Sequence, residues 1–151
     1  MLRINRQTDY AVRVILALAK REPGTRLSSS AIQQEMLIPP SFMARIVAKL
    51  AQDGLVVTFA GRDGGLSLSR PPEAITLKDV LEAFEGPVML SECMEAHGED
   101  DCPFRSNCPV RTKWGRAQVA FMRELASISF ADLAAEALAV PIQSLSVFQS
   151  L

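Results

Sequence analysis

Pro39-Pro-Ser-Phe-Met-Ala-Arg-Ile-Val-Ala-Lys-Leu-Ala-Gln-Asp-Gly-Leu-Val-Val-Thr-Phe-Ala-Gly-Arg-Asp-Gly-Gly-Leu-Ser-Leu-Ser69 is the stretch that decides the fold. Proline is barred from a helix interior but suits its first turn, so a helix is expected from about Pro40 to Gln52, stopped by Asp53-Gly54. Phe42, Ile46, Val47 and Leu50 form its inward face, with Ser41, Met43, Ala44, Arg45 and Lys49 directed elsewhere. Two short runs follow, 55–60 and 66–69, rich in β-formers and joined by Gly61-Arg-Asp-Gly-Gly65. That composition predicts an antiparallel hairpin.

Upstream, residues 8–20 carry Ala11, Val12, Ile15, Leu16 and Ala19 at helical spacing, with Thr8 or Asp9 offering the cap. Ser28-Ser-Ser introduces a second helix from Ser30 to Glu35. Three helices and then a hairpin are the order of a winged helix-turn-helix, so the expected class is mainly α with a small β-hairpin. In that fold the third helix enters the DNA major groove and the wing lies on the backbone or minor groove. Arg62, at the wing tip, suits a phosphate or a narrow minor groove. A nucleotide-binding loop is a poor fit, because neither a lysine–serine/threonine pair nor a helix follows these glycines.

Downstream, Pro71-Pro72 closes the module. A capped helix is expected over Thr76–Glu85, stopped by Gly86-Pro87. A longer one follows from Arg111 to Ser127, with Trp114, Ala117, Phe121, Met122, Leu125 and Ile128 in an apolar stripe, and a short one begins at Phe130. The stripe needs a partner surface, and a second copy of the chain in a twofold dimer is the expected one. The expected division is 1–72 winged helix-turn-helix, 73–110 linking helix and cysteine loop, and 111–151 dimerisation helix and tail.

Between the last two parts lies Cys93-Met-Glu-Ala-His-Gly-Glu-Asp-Asp-Cys-Pro-Phe-Arg-Ser-Asn-Cys108, which holds all three cysteines. The loop is polar and acidic, unlike a piece of core. Three thiolates gathered there suit a soft metal or an iron–sulfur cluster. Cluster ligands are usually four, so one is missing from this segment.

The formal net charge of −1 hides an asymmetry. Residues 1–72 carry ten basic and five acidic residues, a net of +5, and residues 73–151 carry a net of −6. A basic half joined to an acidic half is the pattern of a nucleic-acid reader with a separate sensing or assembly region. No run reaches the apolar length of a membrane span and no signal-peptide core is present, so the expected compartment is the cytoplasm, with no membrane partner. There cysteines serve as ligands or redox sensors rather than structural disulfides. One histidine on an acidic loop, and no nucleophile–base set, argue against an enzyme.

Taken together, Thr8-Asp-Tyr-Ala-Val-Arg, Asp53-Gly-Leu-Val, Gly61-Arg-Asp-Gly-Gly-Leu, Ile75-Thr-Leu-Lys-Asp-Val, Glu85-Gly86 and the three cysteines resemble the bacterial winged-helix iron–sulfur regulators that include IscR, NsrR and RirA, with the NsrR/RirA-like branch nearest. The resemblance covers nearly the whole chain. It implies a homodimeric transcription regulator, a repressor by expectation, that binds double-stranded promoter DNA with an affinity set by a cluster sensing nitric oxide, iron or redox state. Cys93, Cys102 and Cys108 fall on the family's cluster cysteines, separated by eight and five residues. Where the IscR type has a ligating histidine, three residues after the last cysteine, this chain has Arg111, which stays protonated and binds no metal. In the NsrR type an aspartate of the opposite subunit is the fourth ligand, and Asp9 matches it. Three cysteines and an aspartate favour [4Fe-4S] over [2Fe-2S]. On the DNA side, Ser41, Phe42 and Arg45 match the family's base-reading positions, and Lys49 and Arg13 are candidate phosphate contacts. Ala60 stands where many members have an arginine, while Arg62 is retained. The alternative to the cluster is a zinc site using His97, or a thiol/disulfide switch, although close Cys-x-x-Cys pairs are absent.

Overall fold

A computed structural model describes residues 4–91, 93, 102–104 and 106–139. His97, most of the Cys93–Cys102 loop and the tail from 140 to 151 lie outside the described residues. The helices are α1 (Arg6–Ala19), α2 (Ser29–Met36), α3 (Pro40–Gln52), α4 (Leu77–Glu85), α5 (Pro109–Ser127) and α6 (Phe130–Ala139), and the strands are β1 (Val56–Phe59) and β2 (Gly65–Leu68). A short 3₁₀ turn, Pro72–Ala74, leads into α4. The expected mainly helical winged helix-turn-helix is the observed one.

α1 is the axis of the molecule, packed against α2, α3, α4 and α6. Ala11, Val14, Ile15, Ala17 and Leu18 are buried, leaving no wide polar face. Its cap departs from expectation. Asn5, and not Thr8 or Asp9, is the N-cap, its Oδ1 accepting from the Thr8 N–H at 3.0 Å. Thr8 stands three residues inside, as the recipient of the cap, and is buried. Its hydroxyl donates instead to Glu85 Oε1 at 2.5 Å, which ties the start of α1 to the end of α4.

The inward face of α3 also needs one correction. Met43 is buried with Ile46 and Leu50, whereas Phe42 and Val47 are half-buried flanks. Positions 43, 46 and 50 are one stripe at spacings of three and four, and they share one core cluster with the buried residues of α1. α2 ends at Leu37, whose backbone is left-handed (φ 53°, ψ 46°) and turns the chain into Ile38 and the two prolines. Pro40 then occupies the first turn of α3 as expected.

β1 and β2 pair antiparallel, Val56 with Leu68 through Phe59 with Gly65. Leu27 adds a third extended segment that sequence patterning missed, because a single residue carries no periodic signal. It exchanges both backbone hydrogen bonds with Leu66, at 3.0 and 2.8 Å. A Cβ on Gly65 would lie 2.6 Å from the Leu27 carbonyl oxygen, so this close approach requires glycine.

Thr76 caps α4 in a reciprocal box with Asp79. α6 returns to the winged helix. Phe130 is fully buried, which contributes roughly 2–3 kcal/mol, and its N–H donates to the Ile75 carbonyl at 2.9 Å. α5 is the exception among the long helices, since none of its residues is buried.

Candidate nucleic-acid interface and cysteine site

The proline-opened start of α3 leaves Ser41, Ala44 and Arg45 exposed in a row above the buried stripe. Among the described residues Arg45 makes no ion pair, so its guanidinium edges are available. Phe42 is half-buried, with its ring edge-on to Tyr10 at 5.1 Å between centroids. Lys49 is held by Asp53 at 3.0 Å. Arg13 is not free either: it pairs with Asp9 at 2.8 Å and donates to the Met36 carbonyl at 3.3 Å.

On the wing, Gly61 has φ 94°, and the Gly64 N–H donates to the Gly61 carbonyl at 3.0 Å, closing the turn that carries Arg62 into solvent. At the foot of the tip the Arg26 guanidinium lies over the Phe59 ring, 3.6 Å from its centroid. An exposed contact of this kind contributes about 0.5–1 kcal/mol. Arg26 was not singled out from sequence. The only available signal was an arginine beside a β-forming residue, which is too common to interpret.

The cysteines occupy the connection from α4 to α5. Cys93 is half-buried with its Sγ 3.1 Å from the Ser91 hydroxyl, Cys102 is exposed, and Cys108 is the N-cap residue of α5. Open backbone N–H groups at that helix end favour an anionic side chain. All three thiols are free. Gln118 fastens the start of the connection onto α5. Its amide donates to the Val88 carbonyl at 2.5 Å and its Oε1 accepts from the Leu90 N–H at 2.9 Å. A mid-helix glutamine gives no warning of this role in sequence.

Among the described residues no group of three or more His, Cys, Asp or Glu side chains converges on a common point. Asp9 lies exposed on α1 beside Arg13. The donor set nonetheless suits a cluster chemically: three free thiols on one connection, one of them at a helix N-terminus, and an exposed carboxylate on the helix that the connection's own root contacts through Thr8 and Glu85.

Two carboxylates are held below their ordinary range. Glu85 accepts from the Thr8 hydroxyl and from the Asn5 N–H, both of which favour its charged form. Glu35 bonds to the Lys20 ammonium and also to Arg21, joining α1 and its following turn to α2.

α5 exposes Val110, Trp114 and Val119, and a groove of about 740 Å³ runs along Gly115, Val119, Ala120 and Arg123. No helix among the described residues is long and apolar enough to cross a membrane.

Residues 4–136 match the family described as Rrf2, iron-dependent transcriptional regulator. The chain is 36% identical to Protein aau3 of Rhizobium meliloti over 133 residues, covering 87% of this chain and 84% of that protein. It is 30% identical to the HTH-type transcriptional regulator NsrR of Geobacillus kaustophilus, covering 87% and 89%. Among solved structures it is similar to CymR, the global cysteine regulator of B. subtilis, with a TM-score of 0.72, 27% identity and 90% and 98% coverage.

Proposed function

The chain belongs to the Rrf2 family of DNA-binding transcriptional regulators, and on that premise we propose that it is a dimeric repressor whose promoter affinity follows the state of an iron–sulfur cluster. Cys93, Cys102 and Cys108 are the proposed thiolate ligands, and Asp9 of the partner subunit is the proposed fourth, a set that favours [4Fe-4S]. Bound there, the cluster supplies iron open to nitric oxide, to oxygen or to loss under iron shortage. The observation that carries this reading is the set of three free thiols on the α4–α5 connection, rooted by Gln118 and by the α5 N-terminus. The likeness to NsrR supports it.

Ser41 and Arg45 read base edges from the start of α3, Phe42 backs them against Tyr10, Arg62 meets phosphates or the minor groove, and Lys49 meets a phosphate by exchanging its exposed pair with Asp53. The dimer forms through α5, whose unburied apolar face and groove support that role. Asp9 connects the two functions. Its carboxylate neutralises Arg13, which also donates to the carbonyl of Met36 at the end of α2. A ligand that takes this carboxylate therefore changes the charge that Arg13 presents to the helix-turn-helix.

A second reading, a thiol switch or zinc site, draws on the exposure of Cys102 and on the likeness to a cysteine regulator. Anaerobic purification with iron, sulfide and zinc assays separates the two. The first reading predicts a brown protein with about four irons per monomer, lost on Cys→Ser replacement at 93, 102 or 108. A colourless, iron-free protein carrying zinc or a reversible disulfide would replace the cluster with the second reading.

A further inference from the structure

Five of the nine basic side chains between residues 4 and 72 are neutralised by carboxylates: Arg13, Lys20, Arg21, Lys49 and Arg70. Among the described residues Arg6, Arg26, Arg45 and Arg62 make no ion pair. Arg45 lies on α3 and Arg62 on the wing tip. Arg26 precedes the wing by thirty residues in sequence, yet its guanidinium rests on Phe59, the last paired residue of β1 before that tip.

We propose that Arg26 is a DNA-phosphate clamp at the foot of the wing, aimed by Phe59 and by the pairing of Leu27 with Leu66. The stacked face of the guanidinium is occupied by the ring, while its N–H edges, the part that forks a phosphate, meet no ion-pair partner among the described residues. The backbone beside it is fixed. Leu27 exchanges two hydrogen bonds with Leu66, and Gly65 lets the two segments approach so closely that any side chain there would collide with the Leu27 carbonyl. An arginine with a ring-backed head beside a paired backbone gives up less freedom on binding than Arg62, which stands on an open turn. The ligand class is a backbone phosphodiester of the duplex that α3 reads.

This inference rests on DNA binding by the winged helix and not on the cluster. The test measures fluorescence anisotropy of the intact protein on a mixed-sequence duplex of about 30 base pairs, across a salt series. R26A is expected to weaken binding about five- to tenfold near 0.1 M salt and to reduce the log–log salt slope by about 0.9, one phosphate contact's worth. F59L keeps the charge and is expected to weaken binding about two- to threefold with an unchanged slope, because it removes the aim and not the contact. Salt-dependent binding of the unaltered protein to the same duplex serves as the check that the winged helix binds at all. Salt-dependent binding by the unaltered protein, with unchanged affinity and slope in R26A, would overturn the clamp while leaving the family function intact. So would an R26A loss seen on one preferred sequence and absent on the mixed duplex, or one fully accounted for by a lowered melting temperature.

Discussion

The carboxylate of Asp9 lies 2.8 Å from the guanidinium of Arg13, one turn further along α1. The same guanidinium reaches the Met36 carbonyl at 3.3 Å, so the residue proposed as a cluster ligand is already one bond away from the helix-turn-helix. Exposed pairs at this spacing contribute only about 0.3–0.5 kcal/mol. Asp9 can therefore exchange partners without endangering the fold. Asp9→Asn is expected to leave the melting temperature of the cluster-free protein nearly unchanged, while altering the visible spectrum of the anaerobic protein and uncoupling DNA affinity from cluster state. An Asp9→Asn protein with native spectrum and native DNA response would remove Asp9 from the site.

Glu85 joins the root of the cysteine connection to the cap of α1 through Thr8 and Asn5. Because these bonds depress its pKa in the folded protein, the stabilisation is present above the ordinary carboxylate value near 4.5 and is lost as pH falls through the lower folded value. Glu35, depressed by Lys20 and Arg21, acts with the same sign. Stability should thus decline below about pH 4.5, and Glu85→Gln should flatten that decline. Thermal melts from about pH 6 to pH 3 check this. An identical slope in the variant would contradict it.

Leu37 combines a left-handed backbone with 80% exposure at the turn into α3. A leucine in this conformation costs about 1 kcal/mol relative to glycine, and so exposed a side chain recovers little by packing. Leu37→Gly is expected to raise denaturant stability by about 0.5–1 kcal/mol at most, reduced by the added freedom of the unfolded chain. A destabilised variant would mean that the leucine side chain holds the turn.

Arg45 is exposed on α3, the proposed reading helix, and makes no ion pair among the described residues. Arg45→Ala should cost about 1–3 kcal/mol on a preferred site and relax the requirement for one guanine there. Arg45→Lys should keep the charge and still lose that discrimination, since an ammonium cannot fork a guanine edge. Binding to duplexes substituted base by base separates this from a phosphate contact, whose loss would be uniform across sequences.

The fold was largely legible in sequence, because its elements have strong local signals. Pro40 opens α3, Thr76 caps α4, and the glycines of 61–65 mark the wing. What escaped depends on contacts between distant residues. Thr8 looked like a cap, but its partner is Glu85, seventy-seven positions away. Met43 belongs to the core cluster that α3 shares with α1, which periodicity in α3 alone leaves ambiguous. Gln118 and Arg26 act through Val88, Leu90 and Phe59, and nothing local to either residue announces it. The cysteines were legible as a set. Their anchoring at the α5 N-terminus and beside Ser91 became visible only in three dimensions.

The central claim is that the cysteine site controls DNA affinity. Its most direct measurement is the affinity of anaerobically purified protein for a duplex selected by that same protein from a random pool, taken before and after nitric oxide. The account predicts tight binding by the intact protein and a loss of at least tenfold on treatment, with no such response when Cys93, Cys102 and Cys108 are replaced by serine. Equal affinity before and after, in a protein that carries its full iron and sulfide, would contradict it.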